Sequence, residues 1–547
     1  VRLSTRFTAV ACALALAVAL VPRRTRPYAR PQDRRQVRGV LHVHGGRSGD
    51  ARGTVAEVAD AARAASLDFV VITDHDRDDA LPVPAYVDGV LVLSGMERST
   101  DGGHALVLGA SPLPWRLDGE PAAVVADAQE LGAFVLAAHP AARHAESAWT
   151  AGCTGLAGRE VVSFGDAASW PLGLGGFLAA LRYPLDPRGA LLQALRVPPE
   201  ARAGWDGCLA EAPAAGWLGS DAHGGLRLGP AFLPSPSYGA VFALGANHLT
   251  LAEPPNGDAA HDAPLVLLAL REGHGFLALD GLLDADGFAF EATAGGRRAE
   301  PGGTLETAPG EEVRLTAHAP APAALVLLRD GVPVARGAAI DVAVHATGAY
   351  RVEAYLDDAL RPWILSNAIG VFTADEARAR RSRAVVPPEP VSRAGAPERF
   401  ETLDARWQVD RAADADAAVR LDDGALRFDF ALGPGPRTYA SVSDYAPRDL
   451  TGASGVAFRA RASGRFRADV QVRTADEHGV RIWRRSVRLD PAWRDAYVPF
   501  AALRTWDAQG GRPNLARVVG VYVELEAAHL PPGARGTIWL DDWGAAP

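Results

Sequence analysis

The chain has 547 residues, 48% apolar and 22% charged, so it can bury several cores, and two to four domains are expected. A net charge of −9 offers no basic excess to displace counterions, which argues against nucleic acid as a partner. All 56 basic residues are Arg, so Schiff-base and P-loop lysine chemistry is excluded, and no G-x-S-x-G nucleophile elbow is present.

Arg2 and Arg6 precede an apolar run from Ala9 to Val21, which has the length of a signal-peptide core and is too short to span a bilayer. Ala17-Val18-Ala19 is a small-x-small cleavage site, and Arg23, Arg24 and Arg26 follow it. Residues 1–35 therefore read as a signal peptide or an N-terminal anchor. The protein is expected to be exported, periplasmic or extracellular, and to meet a membrane only through this segment if it stays uncleaved. Cys12 lies in the apolar run. Cys153 and Cys208 either pair in an oxidising compartment or are two buried thiols.

Residues 36–285 alternate short apolar runs with helical stretches, a pattern that predicts a parallel sheet or barrel. Thr54 and Glu57 have capping-box spacing ahead of an Ala-rich helix. Strands are predicted at 40–43, 69–72, 90–93, 105–108, 134–137 and 217–218. Residues 286–373 read as a small β-sandwich, with a hairpin turning at Asp330-Gly331 and an alternating strand over 350–355. Residues 374–397 lack apolar periodicity, carry Pro387, Pro388 and Pro390, and read as a linker. Residues 398–547 alternate again, at 426–430 and 456–460, and read as a jelly-roll β-sandwich. Its Trp483, Trp493, Phe500, Trp506 and Trp543 either fill the core or stack on sugar rings.

The polar residues with chemistry fall at or just past predicted strand ends. On a strand of period two, His42 and His44 face one side and can share a metal. Asp74-His75 ends the next strand, Glu97 and His104 follow, His139 ends another, and Asp221-Ala222-His223 closes the set. Each piece alone is more often structural. Together they place six of the 14 histidines at strand ends with Glu97 and Asp221. Imidazoles and carboxylates in this mixture suit Zn, Mn or Fe in a multinuclear site, with Glu97 as a bridge. His144, His248, His261 and His274 lack a partner at ligand spacing, although His248 follows the last motif closely. Arg47, Arg143 and Arg227 lie near the motifs and either bind an anionic group or are surface arginines.

The ordered set Leu41-His42-Val43-His44, Thr73-Asp74-His75, Gly95-Met96-Glu97, His104-Ala105, His139-Pro140 and Ser220-Asp221-Ala222-His223 resembles the PHP (polymerase and histidinol phosphatase) family across residues 36–285. Arg361 to Asn367 resembles a segment of exported, carbaryl-hydrolase-like members. The resemblance implies an α/β fold, a distorted (β/α)7 PHP-type barrel, followed here by two all-β sandwich domains. It implies two or three divalent metal ions: one on His42, His44, Glu97 and Asp221, a second on Glu97, His104 and His139, and a third on His75 and His223. Relatives complete the third with His or Asp at the fifth position after the second His. This chain has Gly49 there, so either Asp50 reaches that metal or the position stays unfilled. The implied function is metal-dependent hydrolysis of a small-molecule or anionic ester, a phosphoester first and a carboxyl ester or carbamate as the alternative. Asp221 holds metal in that scheme, and His75 or His223 can shuttle a proton. An amidohydrolase barrel is disfavoured because its carboxylated lysine is impossible here. Asp541-Asp542-Trp543 resembles the ending of galactose-binding-like jelly rolls, which makes a glycan a candidate partner and leaves a binding protein with a degenerate barrel as the rival reading.

Overall fold

The computed structural model describes residues 35–547, except 77–81, 110–116, 118–119, 140–141, 143–145, 168–178, 180, 229–230, 234–235, 357–360, 387–391, 436, 478 and 506–510, and except the side chains of 226–228 and 231–233. The signal or anchor segment with Cys12, Arg143, His144, the linker prolines, Trp506 and the Arg227 side chain lie outside the described residues. Among the described residues no helix is long and apolar enough to cross a membrane. The chain divides into two compact units, one running to residue 386 and the other holding 387–547 together with 112–127.

The first unit is built on short apolar strands: β1 (Gln36–Val43), β2 (Phe69–Ile72), β3 (Ala85–Val87), β4 (Val90–Thr100), β5 (Gly103–Leu108), β6 (Phe134–Ala137), β7 (Gly158–Ser163) and β8 (Ala215–Ala222). Seven of them close a barrel in the order β1-β2-β4-β5-β6-β7-β8, sealed where β8 pairs β1. Phe69–Ile72 and Phe134–Ala137 are buried along their whole length, as strands covered on both faces must be. The helix Val55–Ala64 starts where Thr54 accepts from the Glu57 N–H and Glu57 accepts in return, the reciprocal cap its spacing predicts.

The expected (β/α)7 barrel followed by two sandwich domains is corrected on two counts. First, strands and helices do not alternate around the barrel, which is mostly β. β4 and β5 form a hairpin through Asp101-Gly102, and β5 runs antiparallel to both of its neighbours. An apolar run of strand length carries no direction, and two Gly beside Asp101 make a tight reversal inexpensive. Second, residues 286–373 do not stand apart. β11 (Ala246–Thr250) pairs the first half of β1, β12 (Gly275–Ala278) pairs β11, and β21 (Ile364–Ser366) pairs β12, so the barrel sheet continues into the segment. β12 is buried throughout, and left as an edge it would expose an apolar row with unpaired backbone groups. β20 (Gly348–Tyr355) carries the sheet onward to the hairpin of β17 (Ala324–Arg329) and β18 (Val332–Gly337), which turns at Asp330 and Gly331, both at positive φ. The remaining described strands of this unit are β9 (Leu226–Leu228), β10 (Ala231–Leu233), β13 (Ala289–Ala294), β14 (Arg297–Ala299), β15 (Thr304–Glu306), β16 (Val313–His318), β19 (Ile340–Val344) and β22 (Ile369–Phe372). Arg351 and Glu353 on β20 are buried, and Arg351 grips Asp206 through two hydrogen bonds of 2.6 and 2.7 Å.

Cys153 and Cys208 are joined in a disulfide within this unit. Residues 374–383, in the segment read as a linker, are helical: Thr373 and Glu376 cap the start, and Arg380, Arg381 and Arg383 lie in the last turn, where the helix dipole favours cations.

The second unit is a sandwich of two five-stranded antiparallel sheets. The strands are β23 (Trp407–Arg411), β24 (Asp416–Asp422), β25 (Ala425–Ala431), β26 (Tyr439–Asp444), β27 (Gly455–Ala462), β28 (Phe466–Asp476), β29 (Gly479–Leu489), β30 (Arg494–Pro499), β31 (Val518–Glu526) and β32 (Arg535–Ala546). One sheet runs β23-β26-β31-β28-β29 and the other β24-β25-β32-β27-β30. Phe428, Phe458, Trp483, Phe500 and Trp543 are buried between them, the core role for three of the scattered aromatics. Trp493 is only half-buried on the outside, where Arg459 and Arg461 guanidinium groups stack against its ring.

Candidate metal centre

The barrel brings all nine candidate ligands to one end. His42 and His44 come from the end of β1, His75 from the turn after β2, Glu97 from the hairpin strand β4, and His104 from β5. His139 follows β6, Asp221 ends β8, and His223 and Asp50 sit on adjoining loops. Four subsets have one ligand atom each within 4.8 Å of the others: His44, Asp50, His75 and His223; His42, His139 and Asp221; His42, His44 and Glu97; and His75, Glu97 and His104. The grouping differs from the resemblance-based one in detail: His75 joins Glu97 and His104, and His139 joins His42 and Asp221. Asp50, the position in question, lies 3.2 Å from His75 Nε2 and 3.1 Å from His223 Nε2.

Glu97 is the hub. His42 and His44 Nε2 each lie 3.1 Å from its Oε2, with His75 Nδ1 also at 3.1 Å, while His104 Nδ1 and His139 Nε2 lie 2.7 and 2.9 Å from Oε1. His42 and Glu97 are fully buried, at 0% exposure. His42 Nε2, His44 Nε2, Glu97 Oε2 and Asp50 Oδ1 are nonetheless buried polar atoms without a hydrogen bond. The first three crowd together, with both imidazole nitrogens 3.1 Å from Glu97 Oε2 but without hydrogen-bond geometry, and Asp50 lies in the adjoining group with His44, His75 and His223. Leaving several such atoms unsatisfied is costly, unless a cation at the point on which they converge takes their lone pairs.

A second layer fixes the imidazoles. His42 Nδ1–H donates to Glu160 Oε1 at 2.6 Å, which turns Nε2 toward the cluster. Glu160 Oε2 also accepts the His139 backbone N–H, and Asp166 lies 3.2 Å from His139 Nδ1. Ser48 Oγ lies 2.9 Å from His44 Nδ1 and accepts the His75 N–H. Ser220 donates to the His42 carbonyl and Tyr238 to the His44 carbonyl, holding the β1 end from both sides. Asp74 accepts the Gly45 N–H, so its place in the motif is to shape the loop. Gly219 makes room for Glu160, since a Cβ there would lie 1.6 Å from Oε1.

β1 is not the regular strand its period suggested. Its pairings with β2 and β8 shift register between residues 40 and 43, and His42 sits at φ 61°. His139 and Asp221 are likewise at φ 52° and 46°. Three non-glycine ligands in the left-handed region store backbone strain at this one site, as functional constellations do.

The charges reinforce one another. Burial alone would lower the pKa of His42, yet Glu160, Glu97 and Asp221 beside it raise it well above the usual imidazole value. Burial opposes protonation of His139 too, but hydrogen bonds to Asp166 and Glu97 push it up to about 11. Burial would raise Glu97 and Asp221, and the surrounding imidazoles instead hold both below the usual carboxylate range. Without a cation His42 and His139 therefore keep their protons, and a divalent ion would displace them.

Glu160, Asp166, Ser48 and Tyr238 were missed in the sequence. Glu160 alone left a signal: one carboxylate inside the apolar strand 158–163, buried on that account only if paired. His248 lies opposite Arg38, at the far end of β1, paired with Asp280 at 3.0 Å. His261 and His274 pair with Asp262 and Glu272. Arg47 shares the loop of Ser48 and Asp50.

No family model and no curated protein matches the chain. Among solved structures it is similar to a family 11 carbohydrate-binding module from Clostridium thermocellum in complex with a β-1,3-1,4-mixed-linked tetrasaccharide, at 14% identity and a TM-score of 0.25, over 29% of this chain and 97% of that one. It is similar to the agarase AgWH50C at 15% identity and a TM-score of 0.21, over 27% of this chain and 23% of that one. A family 30 module of a Clostridium thermocellum cellulosomal cellulase matches at 14% identity and a TM-score of 0.19, over 28% and 91%. Likeness at this level carries no argument about activity.

Proposed function

We propose that the barrel-end cluster is the site of a metal-dependent hydrolase acting on a small, anionic ester. The observation that carries the reading is the set of buried, unsatisfied atoms: His42 Nε2, His44 Nε2 and Glu97 Oε2, which lie together, and Asp50 Oδ1 in the adjoining group. His42, His44, Glu97, His104, His139 and Asp221 would hold two divalent ions, Zn, Mn or Fe, and His75, His223 and Asp50 a third. Such ions would lower the pKa of water and offset charge building on the ester oxygens. The chain supplies the rest. Glu160 and Ser48 hold His42 and His44 in the ligating tautomer. His75 and His223, half-buried around Asp50, are placed to pass a proton to a leaving group. Two features support the wider setting. The motif order resembles the PHP family, a likeness of site residues and not of barrel architecture, and the Cys153–Cys208 disulfide suits an exported protein.

The test is metal content by mass spectrometry on wild type and His42→Ala/His44→Ala, with p-nitrophenyl phosphate and p-nitrophenyl acetate assays. Two or three metals per chain, lost together with turnover in the variant, is the expected result, and the better substrate assigns phosphoester or carboxyl ester. No metal after reconstitution with Zn, Mn and Fe, and no hydrolysis, would overturn it.

A second reading makes the sandwich unit a glycan binder, and one observation favours it. Ser443, Tyr522 and Gln471 stand in register on one rung of β26, β31 and β28, and Ser441, Glu524 and Asp469 on another two residues along, a polar face that holds one aromatic ring. Calorimetry against β-1,3-1,4-mixed-linked glucan, with Gln471→Ala as control, tests this reading. Heat that persists unchanged in the variant would remove that face from consideration.

A further inference from the structure

The first unit also holds a cavity of about 460 Å³ lined by the starts of β6, β7 and β8, at Phe134, Ala157 and Ala215. The candidate metal ligands lie past the other ends of these strands. Six residues separate Ala215 from Asp221 on β8, or about 20 Å of extended chain. None of the nine candidate ligands lines this cavity.

Its wall is apolar where Phe134, Leu156, Leu209 and Phe372 face it, and it contains one polar defect. Asn367 is 1% exposed. Its side-chain oxygen accepts the Gly216 backbone N–H at 2.6 Å. A backbone N–H can only donate, so the atom facing it is the oxygen, and the amide orientation is settled. The other amide atom, Nδ2, is a buried donor with no acceptor. Such a group in an apolar wall costs free energy unless a ligand or water supplies an oxygen.

The rim is cationic. Arg271, Arg380 and Arg381 reach it, and Glu272, the acid among the lining residues, is taken up by His274 at 3.0 Å. Arg380 donates to the carbonyls of Leu209 and Ala210, and Arg381 reaches Glu306 at 3.4 Å. Arg271 has no ion pair among the described residues.

We propose that this cavity is a binding site, separate from the hydrolytic centre, for a small organic acid with an apolar body and a second oxygen acceptor. The body lies against Phe134, Leu156 and Phe372, the acceptor meets Asn367 Nδ2, and the carboxylate meets Arg271 and Arg381. A neutral ligand would leave the rim unmatched, and a compact ion such as phosphate would leave the apolar wall wet.

Calorimetry on the full chain tests this with 4-acetylbenzoate, which has a carboxylate, a flat ring and a ketone oxygen. Benzoate lacks the acceptor and acetophenone the charge. Saturable binding of 4-acetylbenzoate is expected, weaker by roughly tenfold for either control. Arg271→Glu/Arg381→Ala should weaken it by at least roughly tenfold with hydrolysis unchanged, because both changes are on the surface. His42→Ala/His44→Ala should bind as wild type does. Loss of binding in the histidine variant would place the acid on the metal centre and overturn the proposal. So would undiminished binding in the arginine variant, or no binding to wild type at millimolar ligand.

Discussion

At the mouth of the barrel six imidazoles surround Glu97, Asp221 and Asp50. On the sandwich a single imidazole, His529, meets Asp469 and Glu526, with Glu524 on the same strand as Glu526. The residue types are the same and the outcome is opposite. In the barrel, imidazoles outnumber acids and hold the carboxylates ionised. In the sandwich, acids outnumber the imidazole. Burial and the nearby Asp469 push Glu526 up, and burial, only partly offset by Arg473, pushes Glu524 up to about 7. Arg484 already occupies the sandwich cluster, 2.9 Å from Asp469 and 3.1 Å from Glu526, where the barrel atoms converge without hydrogen bonds. Ligand-type residues in proximity do not make a metal site. What separates the two clusters is that an arginine already sits among the sandwich acids.

The contrast can be broken most directly at Glu97. Glu97→Gln should strip metal from the barrel and take hydrolysis to the assay floor, while Glu526→Gln leaves metal content unchanged. Equal metal loss in the two variants would erase the distinction. Reducing Cys153–Cys208 should lower the stability of the first unit alone, by roughly 4 kcal/mol on a loop-entropy account for 55 residues of separation, because the second unit has no Cys. Calorimetry would show one of two transitions shift, and a shift of both would mean the units unfold as one.

The third effect is in pH. Glu524 has a folded pKa above its ordinary 4.5, so its protonated form is favoured in the fold. That stabilisation is complete below pH 4.5 and is lost as pH rises through about 7, a change of about 3 kcal/mol. The sandwich transition should therefore fall as pH rises from 4.5, with Glu526 adding to the fall, and Glu524→Gln should make the decline shallower. The smallest effect is expected at Glu160. Glu160→Gln keeps its shape but weakens the grip on His42 Nδ1, and metal affinity should drop by roughly 10–100-fold with the ligands intact. Unaltered affinity would mean that the buried carboxylate serves folding alone.

The gathering of nine candidate ligands was legible because imidazoles and carboxylates at successive strand ends have few structural uses together. Their supports were not. Ser48, Asp166 and Tyr238 are ordinary surface types until the fold turns them inward, and Glu160 differs from a strand-edge charge only by its burial. The strands themselves were legible as apolar runs, but their directions were not. Asp101-Gly102-Gly103 is a reversal signal that a strict strand–helix alternation passes over, and β5 is antiparallel as a result. β20 alternates in sequence, yet Arg351 and Glu353 are buried with its apolar residues because Asp206 and Arg202 reach them from elsewhere in the chain.

The divided pairing of β1 sets a timetable for synthesis. Its first half needs β11, its second half needs β8, and β8 ends at Ala222. On a ribosome adding roughly 5–20 residues per second, His42 and His44 wait on the order of ten seconds or longer before the last wall of their pocket exists. Throughout that interval the nascent chain carries an open apolar edge and a partial set of the candidate ligands.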